Sequence, residues 1–122
     1  MGRLLDRISR DVDFVIETIA GGSKDNVIAL SATAKIVVKP EDVDKVKKHV
    51  EEMKKLWDSE FMGDEPTLTV DVAENPEVSV AAFDKDSTDR VISYLIICPN
   101  GVIEYSRKLA GSVETSLNLG VV

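Results

Sequence analysis

The chain has 122 residues, 43% hydrophobic but only 5% aromatic, with 15 Lys plus Arg against 22 Asp plus Glu and a net charge of -7. A single domain of this length buries roughly 65% of the surface its unfolded form exposes, so it needs neither disulfides nor a structural metal to hold a core, and its apolar fraction excludes disorder. No apolar run approaches the roughly 18 residues of a membrane span and no signal peptide precedes the first charges, so a soluble, cytoplasmic protein without a membrane partner is expected.

In chain order, Leu4, Leu5 and Ile8 share one helical face among Arg3, Asp6, Arg7 and Arg10, which predicts a helix of about two turns. So short a helix is marginal alone and reads as the tail of a longer one. Phe14 to Ile19 is rich in β-branched residues and closed by Gly21-Gly22, a strand with a turn behind it. From Val27 to Lys39 the alternation of Ile28, Leu30, Ala32, Ala34, Ile36 and Val38 predicts a long strand with one wet face. Pro40, Glu41 and Asp42 then suit a helix start. Val43, Val46, Val50, Met53 and Trp57 recur at three-and-four spacing behind an outer face of Lys and Glu, giving a helix from about Pro40 to Ser59.

Gly63 to Pro66 breaks the pattern, and Leu68, Val70 and Val72 alternate with polar residues as a further strand candidate. Val78, Val80 and Ala82 suggest a short extended piece. Asp86 or Ser87 is placed to cap a helix carrying Val91, Ile92, Leu95 and Ile96, which Pro99-Asn100-Gly101 stops. Val102 to Tyr105 and the alternating run from Val113 to Val121 are the last strands, and the pattern is still extended at Val122, so the C-terminus reads as a cut. The order helix, strand, strand, helix, strand, helix, strand, strand implies an α+β two-layer sandwich of ferredoxin-like type, mainly antiparallel, with the helices on one face.

The residues suited to chemistry are few. Ten acids between Asp58 and Asp89 face one base, Lys85, so a nucleic-acid partner is excluded because this third of the chain repels phosphates. The stretch reads as solvated loops and helix starts, and it lacks the spacing of an EF-hand calcium loop. One cysteine, Cys98, excludes a disulfide framework and any Cys-rich zinc site. Cys98 and Trp57 read as packing residues, and His49, one position off the helix stripe, as a partly exposed surface histidine. Gly21 to Asn26 fails as a phosphate loop and reads first as a glycine turn; its alternative use is to present the amide of Asn26, which both donates and accepts, to a ligand. On these features the chain is a binding or interaction domain, not a complete enzyme.

Two segments resemble one family. Gly-Gly-Ser-Lys-Asp-Asn-Val-Ile, Gly21 to Ile28, is similar to the Gly-Gly-x-Lys-x-Asn-Ala-Ile turn of the cytosolic aminoacyl-histidine dipeptidases, also called peptidase D or bacterial carnosinases. Pro99 to Val102 and Val113 to Val122 resemble that family's Pro-Asn-Gly-Val and Val-Glu-Thr-Ser-Leu-Asn-Leu-Gly-Val runs, and Gly2 to Leu5 resembles the end of its helix entering the lid. The resemblance spans the whole chain in register. It implies a fragment, residues 1–122, of the lid or dimerisation domain of a two-zinc Xaa-His dipeptidase, with partners in the parent catalytic domain, a second subunit and the dipeptide substrate. The zinc ligands and catalytic base of the family match nothing here, so no cofactor and no activity are expected of the fragment alone. By position Asn26 is the lid amide at the glycine turn. Where the family continues Ala-Ile-Pro-Arg, this chain has Val27-Ile28-Ala29-Leu30, so an anion-binding role for the loop is not expected. The alternative is a free-standing ferredoxin-like module that binds a small ligand or regulates.

Overall fold

The computed structural model describes residues 1–61, 68–77 and 81–122. Its elements are α1 (Gly2–Ser9), β1 (Phe14–Gly21), β2 (Ala32–Val38), a single 3-10 turn (Pro40–Asp42), α2 (Val43–Glu60), α3 (Lys85–Ile97), β3 (Gly101–Tyr105) and β4 (Val113–Leu117). The fold is α+β and both strand pairs are antiparallel, β1 with β2 and β3 with β4.

The core lies between the β1–β2 ribbon and the three helices. Phe14 and Ile16 of β1 are buried against Leu4, Leu5 and Ile8 of α1, Val46, Val50, Met53 and Trp57 of α2, and Ile92 of α3. Each large apolar side chain removed from water there contributes about 1.5–3 kcal/mol. The register explains how an irregular apolar pattern feeds one face. Ile16 pairs with Ile36, but the next pairs are Thr18 with Lys35 and Ile19 with Ala34, so β1 carries a bulge at Glu17. A bulge inserts one residue and resets the parity of the strand. Ile19 thereby joins Ile16 on the inner side, and Thr18 is turned to water.

The helix stripe of α2 behaves as its spacing dictates, with Val46, Val50, Met53 and Trp57 inside and the lysines outside. The two-turn α1 is held by its neighbours. Arg3 forks onto Glu60 with bonds of 3.0 and 2.9 Å, and Arg7 reaches Glu52 at 2.7 Å, so the two helices lie side by side in opposite directions. These pairs are roughly half exposed and screened by water, so they set register more than stability. The N-cap of α3 is Asp84, two residues before the expected Asp86, and its carboxylate accepts from the Ser87 amide at 2.6 Å.

Three sequence expectations differ from the structure. The long strand from Val27 is shortened to Ala32–Val38, because Gly22 turns the chain with φ 73° and donates its N–H to the Ser31 carbonyl at 3.0 Å, closing a loop over 23–31. Ile28 and Leu30, expected on an inner strand face, are 78% and 95% exposed. The alternating residues 68–72 form no ladder with the described residues: at Ile16 the edge of β1 away from β2 is taken by the Phe83 N–H and the Thr88 hydroxyl, and at Gly21 by Val122. Val70 still packs on the core. The segment is tied to α2 by an ion pair between Lys47 and Glu74. The expected breaker at 63–66, and Val78 and Val80, lie outside the described residues. The last strand stops at Leu117, and residues 118–122 cross instead to the β1–β2 loop, where Gly22 bridges Val121.

Candidate functional site

The loop that joins β1 to β2 and the segment that follows β4 meet, although some ninety residues separate them in the chain. Gly21 and Val122 exchange both backbone bonds, at 3.1 and 3.0 Å. Asn118 Nδ2 donates to the Val27 carbonyl at 2.9 Å. Between these ties two glycines pass at backbone contact. A Cβ on Gly22 would stand 1.7 Å from the Gly120 carbonyl oxygen, and one on the buried Gly120 would stand 2.6 Å from the carbonyl oxygens of both Lys24 and Asp25. Any side chain at either position would separate the two segments.

Asn26 sits at the turn these ties define. It is exposed, and its amide makes no hydrogen bond to another described residue. An exposed amide on a braced loop offers a donor and an acceptor to a polar ligand at little cost in ordering. Lys24 and Asp25 precede it, and the exposed Ile28 and Leu30 follow it. Beneath the loop is an apolar recess of about 180 Å³ walled by Ile19, Ala29, Ala32, Leu95, Leu119 and Val122. The loop groups the polar side chains of Ser23, Lys24, Asp25 and Asn26 beside exposed apolar residues.

The other chemistry-bearing residues stand elsewhere and do not converge on it. His49 is on α2 with its side chain 15% exposed; Nε2 lies 2.6 Å from Asp11 Oδ1, and the buried Nδ1 has no hydrogen-bond partner among the described residues. Cys98 is half-buried at the end of α3, where its thiol raises the pKa of the neighbouring Tyr94 hydroxyl above the usual phenol range. Trp57 is 8% exposed in the core. The acids near α3 cap and pair: Asp84 at the helix start, Asp86 with Arg90 at 2.8 Å, and Asp89 with Lys85. Hydrogen bonds from Arg3, Arg7 and the Ser87 amide hold Glu60, Glu52 and Asp84 below the usual carboxylate range. Glu52 and Glu60 join α2 to α1, and Asp84 caps α3. Among the described residues no group of three or more His, Cys, Asp or Glu is placed to hold a metal ion.

The loop and the segment that braces it are the two stretches of sequence that resemble one family, and comparison with known proteins agrees. A model of the peptidase dimerisation domain matches residues 1–65, more than half of the chain. The chain belongs to the peptidase dimerisation domain family. The domain is 32% identical over 122 residues to the cytosol non-specific dipeptidase of Escherichia coli (strain K12), a match covering 98% of this chain and 24% of that protein. It also superposes on the crystal structure of aminoacylhistidine dipeptidase from Vibrio alginolyticus with a TM-score of 0.86 and 31% identity, covering 98% of this chain and 24% of that one. The dimerisation domain thus spans about a quarter of the length of either relative.

Asn118 is the site residue that sequence reasoning passed over. It stood inside the Val-Glu-Thr-Ser-Leu-Asn run without a role, because alternation marks it only as an outward residue of a strand. The signal present was Gly120 two positions on, a residue with no side chain where a strand would gain from one.

Proposed function

We propose that this domain is part of the lid and dimerisation region of a longer zinc-dependent dipeptidase, residues 1–122 forming one unit of it, and that the loop around Asn26 closes over a dipeptide substrate of the Xaa-His kind. The observation that carries the reading is the meeting of the two family-like segments in one braced loop, with the free Asn26 amide at its turn. The relatives, a cytosol non-specific dipeptidase and an aminoacylhistidine dipeptidase, support a dipeptide substrate and a cytoplasmic location, and the second of them supports the Xaa-His class. No helix among the described residues is long and apolar enough to cross a membrane, which fits that location.

The division of labour follows from what the residues offer. On this reading the zinc pair, the base that activates water and the bond-breaking belong to the rest of the polypeptide, since the chain spans only about a quarter of either relative. The lid contributes enclosure: a loop that covers the substrate excludes water and fixes its polar ends by hydrogen bonds. A second copy of the domain is the proposed subunit partner, as the family description implies. Among the described residues no strand pairs with the outer edge of β2, and an unpaired strand edge is a template for pairing. A free-standing regulatory module is disfavoured by the family match and the superposition.

The test is hydrolysis of carnosine and other Xaa-His dipeptides by the polypeptide at its natural length, with zinc added and with zinc chelated, beside the 122-residue chain. Zinc-dependent turnover by the long form and none by the short form is expected. Turnover by the 122-residue chain itself, or its stoichiometric retention of zinc after dialysis, would overturn the reading. Sedimentation equilibrium showing only monomer in the long form would remove the subunit partner.

A further inference from the structure

We infer that Asn118 is a positioning residue, whose amide sets the shape in which the loop presents Asn26 to the substrate. The inference deepens the proposed function and rests on it. Of the ties between the two segments, those at Gly21 and Val122 are made by backbone and anchor the base of the loop. The bond from Asn118 Nδ2 to the Val27 carbonyl, 2.9 Å long, is the one made by a side chain, and it grips the residue immediately after Asn26. The loop is otherwise exposed from 23 to 31, and the Gly22 to Ser31 bond closes its neck beside the Gly21 anchor. Without the Asn118 bond the Val27 carbonyl loses its protein donor and the turn between the two anchors gains freedom that binding must then remove.

The geometry makes the role specific to a donor. Asn118 is half-buried, and the close approach of Gly120 to the Lys24 and Asp25 carbonyls keeps its backbone against the loop. Asn118→Asp has the same shape but presents an oxygen to the Val27 oxygen, turning an attraction into a repulsion. Asn118→Leu keeps the bulk and removes the polar atoms.

The experiment uses the polypeptide at its natural length, with two readouts. In the first, amide hydrogen exchange is compared at Gly22 and Val122, whose N–H groups are bonded to Ser31 and Gly21 where the loop closes, with the amides of α2 and the first half of β1 as the measure of global folding. Both variants should speed exchange at these two loop amides about tenfold and leave α2 and the first half of β1 unchanged. In the second, dipeptide hydrolysis is measured for Asn118→Asp, Asn26→Ala and the double variant. Asn118→Asp should raise KM about tenfold with kcat within about twofold, and the double variant should be no worse than Asn26→Ala, because both changes act through one amide. Loop exchange at the wild-type rate overturns the inference, as does an unchanged KM or KM effects that multiply in the double variant. If the wild-type polypeptide hydrolyses no dipeptide, the proposed function fails and the substrate role with it, while the exchange readout still decides whether Asn118 holds the loop.

Discussion

The Ile16 amide donates to the Thr88 hydroxyl oxygen at 3.1 Å, and both residues are 0% exposed. One side chain of α3 thus satisfies a strand amide that has no ladder partner on that edge of β1. Thr88→Val keeps the volume and removes the acceptor, leaving a buried N–H unpaired. The expected loss is about 1–3 kcal/mol, read as a lower urea midpoint. Thr88→Ser retains the oxygen and should lose clearly less.

The short α1 is stable only through the side chains it buries. Ile8 is 2% exposed in the core. Ile8→Ala should cost about 2–5 kcal/mol by transfer and cavity terms together. Part of the helical signal should disappear before the main unfolding transition if α1 detaches first, which far-ultraviolet circular dichroism through a urea series would show.

Acid should weaken the fold through the carboxylates whose pKa is lowered. Asp84 is held down first by the Ser87 backbone amide, and Glu52 and Glu60 first by hydrogen bonds from Arg7 and Arg3. A depressed folded-state pKa means stability that is fully present above the unfolded value, about 4, and lost as pH falls through the lower folded value. The urea midpoint should therefore drop between pH 5 and pH 2. Asp84→Asn, which still caps α3 but cannot titrate, should flatten part of that drop, whereas Asp84→Ala should lower the midpoint at pH 7 as well.

Gly120→Ala should open the junction beneath the loop. The added Cβ would stand 2.6 Å from two carbonyl oxygens, so the segment after β4 must move away. The amides of Gly21 and Val122 should then exchange faster while those of α2 keep their protection. Equal protection in the variant would mean that the two segments do not meet in solution.

Much of the fold was legible from spacing alone. The α2 stripe, the β1 start at Phe14, the inner face of β2 at Ala34, Ile36 and Val38, and the helix around Ile92 all follow from local periodicity. Residues 27–31 and 68–72 carry the same alternation, yet neither segment joins a ladder among the described residues. Alternation reports which residues tolerate one apolar side; it does not supply a partner for the backbone, and a ladder needs one.

The site divides the same way. The sequence by itself determined the helix faces, the α+β class, the shortage of metal ligands and nucleophiles, and Asn26 as the amide worth noticing, because composition and local spacing are properties of the chain. Only the tertiary structure decided that Asn118 and Val27 are joined, that Gly22 and Gly120 pass at backbone contact, and that the bulge at Glu17 turns Ile19 inward. Those facts are contacts between distant segments, set by how strands and helices close on one core, and no local pattern encodes which distant carbonyl an asparagine will meet.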